Sequence, residues 1–172
     1  SFYSILIYNI CLIINHSIII MQQRYLGDIH DFQKFTFVKF LSRAFNQKIG
    51  LNWYLVDPNK IGEKEVNKKD GEKRYFLKND EFKIVDRKIY DEFVILKTKK
   101  FRNIETFTKK THLKQYISFY NKKIPLLNRE KWFNDSLNFF RKKEIIFLDP
   151  DNGLLKNKKN IKLSLKYLLV NE

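Results

Sequence analysis

Residues 149–153 read Asp-Pro-Asp-Asn-Gly and follow the mostly apolar run Glu144–Leu148 without a transition. Two carboxylates and an amide delivered together at the end of an apolar run can polarise, orient or deprotonate a bound group. A second acidic turn, Asp57-Pro58, closes the run Leu51–Val56 in the same manner. A third cluster lies in "GDIHDFQK", which supplies Asp28, His30, Asp31 and Lys34. In open parallel sheets ligands sit beyond the carboxyl ends of the strands. If the two apolar runs are parallel neighbours, Asp57, Asp149 and Asp151 gather around one crevice. The plainer reading is turn chemistry: Asx side chains bond to nearby backbone, and Gly153 permits the reversal. Helix capping accounts for one of Asp28 and Asp31, not for both.

The elements that must carry these groups follow from periodicity. Phe32, Phe35, Val38, Leu41 and Phe45 recur at helical spacing, which predicts a helix capped by Asp28 or Asp31 and stopped by Gly50. The Phe-rich opposite face, with Phe37 and Phe40, is expected to be partly covered. Leu51–Val56 reads as a buried strand and residues 60–74 as a solvated loop. A helix is expected over residues 86–96 with Asp86 as its cap, a short strand over 101–107, and a helix over 112–120. "NREKWFNDSLNFFRKK" predicts a helix capped by Asn128, and residues 167–170 a last strand. Trp53 and Trp132 are expected in the core. This alternation predicts an α/β class with a Rossmann-like, mostly parallel sheet flanked by helices.

Length and composition set bounds. The chain has 172 residues, 44% hydrophobic and 31% charged, a globular balance. Its formal net charge of +15 would attract a nucleic acid or an anionic membrane surface through long-range electrostatics. Lys, Asn, Ile, Phe and Tyr share AT-rich codons, so genome composition accounts for part of that excess. Cys11 is the single cysteine, which excludes an internal disulfide and a cysteine zinc site and suits a cytoplasmic location. No P-loop, nucleophile elbow or dinucleotide fingerprint occurs, so a nucleotide kinase, an α/β-hydrolase and a nicotinamide dehydrogenase are not expected.

Residues 1–20 carry no charge and have the length of a membrane span. They lack the basic start and small-residue cleavage site of a secretory signal, and Asn9, Asn15 and His16 oppose membrane burial. The expectation is a non-native read-through or disordered leader (1–20), followed by one α/β domain over 21–172 that is truncated at its C-terminus. A membrane partner is not expected.

"RYLGDIHDFQKFTFVKFL", "LNWYLVDPN" and "IIFLDPDNGL" together resemble an uncharacterised bacterial and phage protein family with YLGDxxDFxK and FLDPDNG motifs. The resemblance covers residues 24–172 and brings no activity with it. A remoter similarity is to ribosomal-RNA adenine-N6 methyltransferases, in which a GNxxDxxKH-type helix, a strand ending at an acidic residue and a strand ending in DPPY follow in this order. That similarity implies Asp28, Asp31, Lys34 and Asp57 near S-adenosylmethionine, and Asp149, Pro150, Asp151 and Asn152 as the catalytic segment facing a target amine. Asp151 and Asn152 stand where the pattern has proline and an aromatic ring, and no glycine-rich loop follows Asp57.

Three functions remain open on the sequence: a methyltransferase-like enzyme acting on nucleic acid, a Mg²⁺-dependent nuclease or hydrolase using the strand-end aspartates, and a non-catalytic nucleic-acid-binding phage or defence protein. Substrate and oligomeric state are not encoded in recognisable motifs.

Overall fold

The computed structural model describes residues 25–66, 73–156 and 160–172. The expected leader over residues 1–20 lies outside them, as does part of the expected loop, residues 67–72. The chain is mixed α/β. Its contacts divide it into two units, one comprising residues 25–49 and 73–119, the other 50–66, 120–156 and 160–172.

The first unit is built on α1 (Ile29–Ala44), capped by Asp28, whose side chain accepts from the backbone N–H groups of His30 and Asp31. Phe32, Phe35 and Val38 bury the expected face. Phe37 is half-buried but Phe40 is 63% exposed, so the opposite face is covered only in part. Gly50 does not stop this helix: α1 ends at Ala44, Asn46 takes φ +50°, and Gly50 sits inside a strand. A layer of rings forms the core, with Phe32 against Phe76 at 5.2 Å and Phe35 stacked on Phe107 at 5.7 Å between centroids. The helix expected over 86–96 is α5 (Arg87–Ile95), and Asp86 caps it through Ile89 N.

Residues 101–107 are not a strand. Asn103 accepts from Thr106 N and starts α6 (Ile104–Lys110), which buries Ile104, Phe107 and Thr108 at helical spacing. The helix expected over 112–120 is a 3₁₀ turn, His112–Gln115, followed by strand β2 (Ile117–Tyr120). Residues Tyr75–Lys78 form another 3₁₀ turn, and α4 (Glu81–Val85) precedes α5.

In the second unit, α2 (Pro58–Ile61) and α3 (Glu63–Val66) occupy what the sequence suggests is loop. The expected late helix is α7 (Arg129–Phe140), although Asn128 makes no side-chain cap and instead adopts a left-handed φ of 59°. The core holds Tyr54, Val56, Tyr120, Ile124, Trp132, Phe133, Phe140, Leu165 and Leu168. Both tryptophans are buried, as expected. A short helix, α8 (Ile161–Ser164), precedes the last strand.

Strands β1 (Ile49–Asn52), β2 and β3 (Ile146–Leu148) form a sheet in the order β2-β1-β3. β1 and β3 are parallel, with Gly50 opposite Ile146, Leu51 opposite Phe147 and Asn52 opposite Leu148. A second parallel pair joins β4 (Leu154–Leu155) to β5 (Leu168–Leu169). Close approach explains Gly50: a Cβ there would lie 2.6 Å from Cδ1 of the buried Phe140 ring.

Candidate functional site

β1 is shorter than its apolar run. At Asn52 the side-chain Oδ1 accepts from Tyr54 N at 3.2 Å, an Asx turn that draws the chain out of the sheet. Tyr54 then takes φ +50°, a left-handed conformation rare for a bulky residue. Residues 53–56 are nevertheless buried, because they pack as core rather than pair as strand: Tyr54 meets Trp132 edge-on at 5.1 Å. The strand expected to end at Asp57 therefore ends at Asn52.

This shift changes which group meets the Asp149 segment. Asp149 N donates to Asn52 O at 3.0 Å, extending the parallel ladder one step past β3. Asn52, not Asp57, is the side chain at the end of the neighbouring strand. Asp57 caps α2 instead, with Oδ1 accepting from Asn59 N and Asn59 Nδ2, both at 3.1 Å, and Oδ2 3.4 Å from Lys123 Nζ. Burial works to raise its pKa, but the Asn59 and Lys123 hydrogen bonds outweigh it and hold the carboxyl below its ordinary range. Asp57 is thus an ionised cap with both oxygens engaged.

Beyond Asp149 the chain turns through Pro150 and Asp151, and Asp151 is buried. Asn152 N donates to Lys166 O at 2.8 Å, and Gly153 O accepts from Leu168 N at 2.9 Å. These bonds seat the pentapeptide between β3 and β4. Gly153 has φ +79° and open space where a Cβ would stand, so its role is conformational. The segment is a turn, and the same turn presents polar atoms at the carboxyl end of β1 and β3.

Two of those atoms stand out. Asn52 is 0% exposed and its Nδ2 has no hydrogen-bond partner. Because Oδ1 is held by Tyr54 N, the atom left over is the donor. Asn152 Oδ1, an acceptor, is likewise buried without a partner. A buried polar group left unpaired costs roughly 1–3 kcal/mol, so each of these amides carries an unmet hydrogen bond, a donor on Asn52 and an acceptor on Asn152. Asn52 escaped the sequence reading because the apolar run continues unbroken to Val56; the available signal was an Asn followed by Trp-Tyr, an Asx turn hidden by aromatic burial.

The first unit gathers Asp28, His30, Asp31 and Lys34 at the start of α1. Asp31 Oδ2 accepts from Gly27 N at 2.9 Å and Oδ1 from Lys34 Nζ at 2.8 Å. Asp28 uses Oδ1 for capping, while its Oδ2 has no hydrogen-bond partner. Burial first, then the neighbouring Asp31 carboxylate, push Asp28 up to about 7 against the opposing bonds from the Asp31 and His30 amides. Burial, followed by the Lys73 charge, lowers the His30 imidazole below its ordinary range. Asp28, Asp31 and Lys34 are therefore one cluster, while Asp57, Asp149, Pro150, Asp151 and Asn152 belong to the second unit.

No family model, curated protein or solved structure matches this chain. Among the described residues no group of three or more His, Cys, Asp or Glu side chains has an arrangement that could hold a metal ion, and no helix is long and apolar enough to cross a membrane. The fit to S-adenosylmethionine is poor where its nucleotide would need close backbone approach. The segment after β1 is filled by Trp53, Tyr54, Leu55 and Val56, all buried, where a cradle needs glycine.

Proposed function

We propose that this chain is a nucleic-acid-binding protein whose strand-end site, formed by Asn52 and the Asp149–Asn152 turn, receives the polar edge of an unpaired nucleobase. The observation that carries this reading is the pair of buried, unpartnered atoms, Asn52 Nδ2 and Asn152 Oδ1. A donor and an acceptor match the amide or amidine edge of a base, which presents the complementary pair. The parallel β1–β3 ladder supports the position, since ligands of such sheets bind beyond the carboxyl ends. The net charge of +15 supplies attraction to the backbone.

A Rossmann-like arrangement with methyltransferase-like activity is the second reading. The order of Asp149 and Pro150 after β3 favours it; the bulky segment after β1 disfavours it, and we derive no step through S-adenosylmethionine. The Mg²⁺-dependent alternative has no cluster of ligands among the described residues to support it.

The test is a titration with free nucleosides, followed by saturation-transfer NMR, on the wild-type chain and on Asn152→Ala. At least one nucleoside is expected to bind the wild type near millimolar affinity, about −4 kcal/mol, and not the variant. Equal signals from both proteins would remove the base-binding site.

A further inference from the structure

A second surface lies in the first unit, around Tyr116. Lys39 Nζ and Arg43 Cζ, one turn apart on α1, each lie 5.4 Å from the centroid of its ring, and Arg43 Nη2 approaches the phenol oxygen at 3.3 Å. The two cations differ in what neutralises them. Lys39 is buried, paired with Asp86 Oδ2 at 2.5 Å and 3.4 Å from His112 Nε2. The other nearby carboxylate, Glu92, is spent on Thr111 Oγ1 at 2.5 Å and on His112 N and Nδ1 at 2.8 and 2.9 Å. Arg43 is exposed and makes no ion pair among the described residues, although the more distant Asp86 charge also acts on it.

One further cation acts on the phenol and another lies close along the chain. Ile49 N donates to Tyr116 O at 2.9 Å, which brings the exposed Lys48 beside it along the chain. Lys88, exposed on the first turn of α5, also acts on the phenol: the Arg43 hydrogen bond foremost, and then the Arg43, Lys39 and Lys88 charges, lower Tyr116 from its ordinary range against the effect of burial. Neither Lys48 nor Lys88 makes an ion pair among the described residues. Phe40, next to Lys39 and one turn before Arg43 on α1, is 63% exposed. Arg43 and the exposed Phe40 on α1, with Lys48 just beyond it and Lys88 on α5, combine the two contacts that single strands use, phosphate pairing and base stacking.

We propose that this Tyr116 corner is a docking surface for single-stranded nucleic acid, with Arg43, Lys48 and Lys88 on phosphates and Phe40 against a base. The proposal rests on the nucleic-acid reading above and assigns it a surface separate from the strand-end turn. An acidic protein would use the same cations but gain little from Phe40, and the exposed ring favours the nucleic acid.

The experiment is fluorescence anisotropy with a labelled oligothymidylate across a NaCl series, using the full chain and the variants Arg43→Gln, Lys88→Gln and Phe40→Ala. Each charge variant is expected to flatten the log–log salt slope by about 0.7. Phe40→Ala is expected to weaken binding by roughly 5- to 150-fold and to lose that deficit on an abasic oligonucleotide of the same length. Thermal melts should superimpose, since these side chains are exposed. If the wild type binds and the variants match it in slope and affinity, this surface is wrong while the nucleic-acid reading survives. If polyglutamate displaces the oligonucleotide equally well and Phe40→Ala is neutral, an acidic protein is the partner and the proposal fails. A wild type that binds no oligonucleotide overturns both.

Discussion

Asp28 offers the sharpest test of the electrostatics, because its cap and its charge can be separated. The carboxyl is 1% exposed, and burial together with Asp31 raises it from an ordinary 3.8 to about 7. A group whose folded pKa is raised binds its proton more tightly in the folded state. Its contribution to stability is fully present below the unfolded value and is lost as pH rises through the folded one. The window for Asp28 therefore runs from about pH 4 to pH 7, and between pH 5 and pH 8 the loss amounts to about 3 kcal/mol. The Asp28→Asn variant would keep the cap, since asparagine and aspartate serve that position about equally, and would carry no charge. The new amide stands buried where Oδ2 now is, so the variant's absolute stability shifts by roughly 1–3 kcal/mol, but that shift does not depend on pH.

The readout is accordingly a difference of slopes. Urea unfolding followed by circular dichroism, at intervals from pH 5 to pH 8, should show Asp28→Asn gaining about 3 kcal/mol on the wild type across the range. His30 acts with the opposite sign, because its folded pKa is lowered, so stability falls as pH drops through its ordinary range. It is present in both proteins and cancels to first order. Parallel pH profiles for the two proteins would refute the account of a buried carboxyl held near neutrality.

Three further outcomes are expected. Arg129 is buried and donates to Glu172 Oε1 and Oε2 at 2.5 and 2.8 Å, to Ser164 O at 2.6 Å and to Tyr167 O, so Arg129→Ala should cost about 3–5 kcal/mol in urea unfolding. Arg129→Lys should recover little of it, because an ammonium cannot reproduce the fork. Gly50→Ala should cost about 1–3 kcal/mol in the same assay, since the Phe140 ring it would strike is buried and has no free direction to yield. Calorimetric titration with S-adenosylmethionine should give no saturable heat; saturable binding would overturn our account of the filled segment after β1 and restore methyl transfer as the leading activity.

The sequence was most legible where local signals agreed. Asp28 followed by the Phe32, Phe35, Val38 stripe states both the start and the inner face of α1, and Asp86 does the same for α5. It misled where burial and pairing part company. Trp53–Val56 looks like strand because it is apolar, yet the Asx turn at Asn52 and the left-handed Tyr54 take those residues out of the ladder and leave them as core. Residues 101–107 invite a strand because Phe101 and Phe107 bracket a short stretch, but Asn103 caps a helix that continues to Lys110. The strand-end aspartate at 149 was legible from its abrupt context; its partner across the ladder, Asn52, was not, because the apolar run continues past it to Val56 and conceals where the four-residue β1 ends.

What separates structural polar groups from available ones in this chain is whether each has a way to become satisfied. Arg129 spends its donors on a carboxylate and two carbonyls, and Asp57 spends both oxygens on a cap and a lysine. Asp28 has an unpartnered oxygen, but a carboxyl can lower the cost of burial by taking up a proton, and its pKa of about 7 puts that remedy within reach near neutral pH. Asn52 has no such remedy. An amide neither gains nor loses a proton at any ordinary pH, its orientation is fixed by Tyr54 N, and it is 0% exposed. The deficit at its Nδ2 cannot be relieved by titration, and the unpartnered Asn152 Oδ1 lies in the same unit; on the base-binding proposal, this strand end is where an incoming donor–acceptor edge would gain most.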